Sequence, residues 1–176
     1  MYTLEQVKEH TEDEDYILNA IKEDGLLIEG ASEVIRDNKD IVMEAVTKDG
    51  GALEFASDRL KDDRDILMRA VETKGWVICY ASEKLRKDKE LILKAAQKDG
   101  QILYYASKEL RDDDEVVMAA VKNKGLILKY ASKRLRSDKN IAIEAIKQDK
   151  RAFDFIVPEL RQDEDIQNIV NPKTDS

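Results

Sequence analysis

Few residues in this chain have side chains suited to covalent chemistry. There is one cysteine, Cys79, and one histidine, His10. A thiolate beside an imidazole can serve as a nucleophile, but Cys79 lies in the apolar run 76–80, far from His10 in sequence. A single cysteine forbids an intrachain disulfide, and one of each type leaves no zinc cluster. Paired carboxylates, the usual general acids and bases, are abundant, as in Asp112-Asp113-Asp114. Similar groups recur wherever a helix is expected to begin, so capping explains them and no pair is unique. No EF-hand spacing, phosphate-binding G-x-x-x-x-G-K-[ST] loop or dinucleotide-binding G-x-G-x-x-G turn occurs. The expectation is a protein with no catalytic, cofactor-binding or metal-binding residues, and not an enzyme.

What does recur is a set of ladders. Gly25, Gly50, Gly75, Gly100 and Gly125 stand 25 residues apart, with Lys150 next in the series. An Ala-Ser pair follows each glycine by six residues, from Ala31-Ser32 to Ala131-Ser132. Then come an aliphatic and a base, the base being Arg36, Lys61, Arg86, Arg111, Arg136 or Arg161. Two residues later stands Asn38, Asp63, Asp88, Asp113, Asp138 or Asp163, with Asp13 leading the series.

One unit shows the physics. Asp63 is a good N-cap for a helix, and Asp65 places negative charge at the positive end of its dipole. Ile66, Leu67, Ala70 and Val71 form an apolar stripe at helical spacing. Gly75 reads as a left-handed residue closing this helix A. On that reading Gly100→Val, with φ > 0, costs more than Gly51→Val. A shorter helix B follows. In the last unit Ile156-Val157-Pro158 replaces the Ala-Ser pair, and proline belongs at the first turn of a helix. Ser32 and its equivalents are therefore expected to cap a separate short turn.

A 25-residue helix pair cannot bury both its faces alone, whereas a stack of such pairs can. The sequence predicts an all-α fold, an α-solenoid of either superhelical hand. It would contain about six helix-pair repeats, each with a longer helix A and a shorter helix B or turn. The expected organisation is a single domain: a cap over 1–12, repeats over 13–162, a cap helix over 163–171 and a frayed tail over 172–176. Thr3 and Gln6 form a capping box that turns Leu4 and Val7 inward. The net charge is −8, and 39% of the residues are charged. No apolar run approaches the roughly 18–20 residues that a membrane span needs. The polar, acidic first residues do not resemble a signal peptide. A cytoplasmic monomer without membrane contact is expected, and the sequence does not exclude delivery into another cell.

The unit LRKDKELILKAAQKDGQILYYASKEL, residues 85–110, resembles the repeat of the domain of unknown function 4116 family. The resemblance covers 13–165. Gly30 in place of an aromatic, Lys150 in place of glycine and Ile156-Val157 in place of Ala-Ser depart from its pattern. It implies tandem helical repeats, sometimes beside effector-type domains, and brings no reaction, cofactor or site residue.

In a stack, equivalent residues form columns. Constant columns are expected to be structural: the alanines 20 to 145, a Met/Leu/Ile column through Met43, Met68 and Met118, and an aromatic ladder of Phe55, Tyr80, Tyr105, Tyr130 and Phe155. The basic ladder is expected to pair with neighbouring units and helix termini. Two columns vary and lie three apart on helix B: Leu26, Gly51, Trp76, Gln101, Leu126, Arg151 and Glu29, Glu54, Cys79, Tyr104, Lys129, Asp154. The sequence therefore suggests a protein- or peptide-binding scaffold that uses Trp76, Tyr104, Leu126, Lys129 and Glu54. The alternative is a nucleic-acid or phosphorylated-ligand binder that uses Arg86, Arg111 and Arg136. The negative net charge opposes it.

Overall fold

A computed structural model describes residues 1–172. The expected fraying of Lys173 to Ser176 lies outside the described residues. Every regular element among the described residues is an α- or 3₁₀-helix, and the elements follow the 25-residue period. The chain divides into two compact units, Met1–Leu85 and Arg86–Ser176.

In the first unit the A helices are Glu14–Glu23, Lys39–Lys48 and Arg64–Val71. Each begins at its expected cap: the side chains of Asp13, Asn38 and Asp63 accept from backbone N–H groups of the first turn. Each A helix packs on the next, and the B segments Gly25–Gly30, Gly50–Phe55 and Gly75–Tyr80 do the same alongside. Ile66, Leu67, Ala70 and Val71 are fully buried, as the helical spacing requires. The leading helix, Leu4–Glu9, carries the Thr3–Gln6 capping box and buries Val7. Gly30 makes room for it, because a Cβ there would lie 2.7 Å from Val7 Cγ1 and 3.2 Å from Leu4 Cδ1. That contact accounts for the missing aromatic in the first repeat.

The second unit repeats the scheme with A helices Lys89–Lys98, Asp114–Asn123, Lys139–Gln148 and Glu164–Val170. Its B segments are Gly100–Tyr104, Gly125–Tyr130 and Lys150–Phe155. In both units B is a 3₁₀ segment separated from the following short turn. The hydroxyls of Ser32, Ser57 and Ser132 cap α-turns over Glu33–Arg36, Asp58–Lys61 and Lys133–Arg136. Pro158 takes the first position of the corresponding turn in the last repeat. The N–H of the same serine joins neighbouring repeats: Ser57 donates to Arg36 O (3.0 Å) and Ser132 to Arg111 O (2.9 Å). Val157 makes the equivalent bond to Arg136 O, so losing the Ala-Ser pair does not break the link.

Two expectations need correction. No glycine among the described residues has a positive φ. Helix Arg64–Val71 stops at the right-handed Glu72, and the A helices before Gly25, Gly50, Gly100 and Gly125 end at an extended residue, Asp24, Asp49, Asp99 or Lys124. The glycine that follows opens the 3₁₀ segment, and close approach of the next repeat demands it. A Cβ on Gly25, Gly50, Gly100 or Gly125 would lie 2.2–2.4 Å from the carbonyl oxygen of Ala45, Ala70, Ala120 or Ala145. Where Lys150 replaces the glycine, its ammonium donates to Val170 O at 3.2 Å instead. Secondly, the Met/Leu/Ile column is not core: Met43, Met68, Leu93, Met118 and Ile143 are half-buried along the A helices.

Candidate functional site

The two variable columns lie on the 3₁₀ segments, whose backbone decides what they expose. A 3₁₀-helix has three residues per turn, so side chains at i and i+3 eclipse. Within Gly25–Gly30, Leu27 and Ile28 are buried while Leu26 and Glu29 are exposed. The same holds for Trp76, for Gln101 with Tyr104, and for Glu54 and Lys129. The turn starts on an aspartate that the sequence reading missed as a cap. Asp24, Asp49, Asp99 and Asp149 accept from the N–H two residues on, at 2.8–3.0 Å. Asp24, Asp49 and Asp99 precede a glycine and Asp149 precedes Lys150, so the aspartate reads locally as part of a simple turn.

The candidate residues fall into two groups. In the first unit Trp76 is 38% exposed and Leu26 41%. They flank Gly51: a Cβ built there would lie 3.6 Å from Leu26 Cδ2 and 3.7 Å from Trp76 Cζ2. Glycine at this column thus gives the two apolar side chains a shared bed. Trp76 also meets Tyr80 edge-on, with ring centroids 6.0 Å apart. Burial raises the Tyr80 pKa, and the charge and hydrogen bonding of Glu54 raise it further. Glu54 is exposed, as is Glu29 one repeat earlier.

In the second unit Tyr104 is 53% exposed. It packs edge-on against Tyr105 (5.1 Å) and Tyr130 (5.2 Å). Together with Gln101 and Ile127 these rings line a recess of about 200 Å³. Lys129 places its ammonium 4.8 Å from the Tyr130 ring centre. Leu126 is half-buried. Tyr105 and Tyr130 were read only as a core ladder, and the structure adds them to the Tyr104 surface.

The basic ladder is built into the fold. Arg111 donates from Nε to Ala106 O (3.0 Å) and from Nη2 to Tyr104 O (2.7 Å). Arg161 does the same for Asp154 O at 2.9 Å, and Arg36 reaches Phe55 O at 3.5 Å. These guanidiniums therefore satisfy carbonyls at the ends of 3₁₀ segments. Arg86 stacks over Tyr105 at 5.5 Å. Arg136 has a buried Nε with no hydrogen-bond partner. The acidic caps pair with a different set of cations: Lys39 with Asp63, Lys89 with Asp113 and Lys139 with Asp163, at 2.7–2.9 Å. Burial alone would raise the Asp113 pKa, but hydrogen bonds from Lys89 and the Val116 N–H outweigh it and hold it low.

A family model described as Domain of unknown function (DUF4116) matches five overlapping segments: residues 13–61, 38–86, 63–111, 88–136 and 113–161. The chain belongs to the DUF4116 family. Successive matches start 25 residues apart, each covering about two repeats. No curated protein and no solved structure matches the chain. The DUF4116 repeat therefore gives the architecture, and the exposed columns are the part of it that differs from unit to unit.

The chemistry-bearing residues do not assemble. His10 is exposed and stacks on Tyr16 at 4.1 Å, while Cys79 sits half-buried in a 3₁₀ segment. Among the described residues no three His, Cys, Asp or Glu side chains converge as metal ligands. No helix among them is long and apolar enough to cross a membrane.

Proposed function

We propose that this protein is a non-enzymatic scaffold that binds another protein or a peptide through its 3₁₀ segments. One observation carries the reading. Of the five large hydrophobic side chains exposed among the described residues, three, Leu26, Trp76 and Tyr104, stand in the two variable columns. Tryptophan and tyrosine are the side chains most enriched where interfaces concentrate their binding energy. Apart from these three, only Met1 and Val34 among the described residues are large hydrophobic side chains left exposed, which is consistent with a surface kept for a partner. The basic ladder supports anion binding less well, because Arg36, Arg111 and Arg161 already donate to backbone carbonyls.

The test is affinity capture from native lysate with wild type and a Trp76→Ala/Tyr104→Ala double variant. Both side chains lie outside the buried core, so the variant is expected to keep its far-UV circular dichroism and lose the captured partner. Undiminished capture by a folded double variant would place binding elsewhere or nowhere.

A further inference from the structure

We infer that the Leu26–Gly51–Trp76 strip, flanked by Glu29 and Glu54, is a docking surface for an extended peptide that presents basic residues around an apolar side chain. This rests on the scaffold reading and specifies the partner's chemistry at the first unit.

The apolar half of the argument is the bed at Gly51. Two exposed side chains from the neighbouring repeats would lie 3.6–3.7 Å from a Cβ built on this one glycine. A larger residue there, such as the glutamine or arginine of the same column in later repeats, would fill the space between them. Gly51 itself is buried, and its missing side chain leaves the exposed leucine and tryptophan as adjoining apolar walls on which one apolar side chain can lie.

The electrostatic half is the state of the charges around the strip. Two of the nearby cations are engaged: Lys74 pairs with Asp49 at 3.7 Å, and Lys61 lies 5.3 Å from the Tyr80 ring centre; Lys48, whose Cβ would lie 3.2 Å from one built on Gly25, is exposed at the edge of the first segment. Glu29 is exposed, and among the described residues its carboxylate has no ion-pair partner. Glu54 likewise has no ion-pair partner among the described residues, and its charge helps to raise the pKa of the Tyr80 hydroxyl. Asp24, one residue before Gly25, adds negative charge on the first of these segments. A cationic partner recovers this charge, whereas an acidic one is repelled.

Register follows from the repeat. Neighbouring packed helices lie ~8–10 Å apart, and an extended polyproline-II chain rises ~3.1 Å per residue with about three residues per turn, so its side chains at i and i+3 face the same side. One repeat step therefore spans about three peptide residues. Glu29 and Glu54, one repeat apart, match basic residues at i and i+3. An apolar side chain between them turns to the parallel column of Leu26, Gly51 and Trp76.

The experiment uses the full chain and three nine-residue, fluorescein-labelled synthetic peptides read by anisotropy. One has arginines three apart around a leucine, one has glutamates in place of the arginines, and one has serine in place of the leucine. Trp76, the single tryptophan of the chain, is a second reporter through its emission maximum. The arginine–leucine peptide is expected to bind saturably and shift that emission to the blue. The glutamate peptide should not bind, and the serine peptide should bind at least several-fold more weakly. Glu29→Gln/Glu54→Gln, both on exposed side chains, is expected to weaken the arginine–leucine peptide by about five-fold or more and to flatten its salt dependence. Equal binding of the arginine and glutamate peptides, an indifferent double variant, or no binding at all overturns the assignment. None of these outcomes touches the scaffold reading, which lysate capture with the Trp76/Tyr104 variant decides separately.

Discussion

Adding one methyl group at Gly100 tests the central packing claim. In Gly100→Ala the new Cβ would lie 2.4 Å from Ala120 O and 3.1 Å from both Lys124 N and Lys124 Cβ. Ordinary contact begins near 3.4 Å, so the repeats must part locally by about 1 Å, or the carbonyl must tilt away. Tilting weakens the 2.8 Å bond that Ala120 O accepts from Lys124 N–H at the end of helix Asp114–Asn123. Overpacking of this kind costs ~1–3 kcal/mol, and a compromised backbone hydrogen bond adds ~0.5–1.5 kcal/mol. The expected loss is about 2–4 kcal/mol.

Gly51→Ala is the matched control. Its Cβ meets Asp49 Oδ1 at 3.1 Å and otherwise makes only ordinary contacts. Other repeats carry leucine, tryptophan, glutamine or arginine in this column. Removing a glycine from the unfolded chain contributes ~0.4–1 kcal/mol of stability, so this variant should be neutral or slightly stabilised. Urea melts followed by far-UV circular dichroism, at an m-value of ~1–3 kcal/mol/M, should separate the two midpoints by about 1 M or more. Coincident midpoints, or a lower one for Gly51→Ala, would show that glycine is not required by the neighbouring carbonyl.

Three other perturbations probe the remaining structural assignments. Asp113→Ala removes the bonds to Glu115 N and Val116 N, both 3.1 Å, and should cost ~1 kcal/mol in a urea melt; an unchanged midpoint would deny the cap a role. Hydrogen bonds from Ser57 and Ser132 hold Asp37 and Asp112 below the usual carboxylate range, and Lys89 does so for Asp113 against the effect of burial. Their stabilisation is therefore complete above the ordinary carboxylate pKa of ~3.9 and disappears as pH falls through the lower folded values; urea midpoints flat from neutral pH into that acid range would contradict it. Arg111→Met frees the carbonyls of Tyr104 and Ala106 and should lower stability by about 1–2 kcal/mol while leaving heparin retention unchanged; the opposite pattern would return the basic ladder to ligand binding.

Elements determined locally were legible in the sequence. Asp63 caps its own helix, and Ile66, Leu67, Ala70 and Val71 mark its buried face, because both effects act within a turn or two of chain. The glycines were legible as a series and misread in role. A glycine after a polar residue near a helix end suggests a left-handed cap. Here the constraint comes from a carbonyl 20 residues on, which no local pattern records. The basic ladder was read correctly in part: Arg36 reaches the next repeat, and Arg111 turns back to carbonyls at the end of its 3₁₀ segment, whereas the acidic caps take Lys39, Lys89 and Lys139 as their cations, which the sequence reading did not name. For the candidate surface, the columns were readable and their company was not. Tyr105 and Tyr130 join Tyr104 only once the B segments pack on each other.

The 3₁₀ geometry of the B segments explains why variation gathers where it does. Of the six residues in Gly25–Gly30 or Gly125–Tyr130, the first is fixed by the approach of the next repeat, and the third and fourth by burial. The second and fifth eclipse on the outer side and carry no duty in the stack. Each repeat therefore offers two adjacent side chains that can change without altering its neighbours. In an α-helical B segment, the slower drift of 3.6 residues per turn would carry these positions out of line. The tight turn keeps them aligned, so Leu26 with Glu29 in one repeat and Gln101 with Tyr104 in another present different chemistry on the same scaffold. A partner that reads this surface would distinguish repeats by these pairs, and substitutions there should alter recognition before they alter folding.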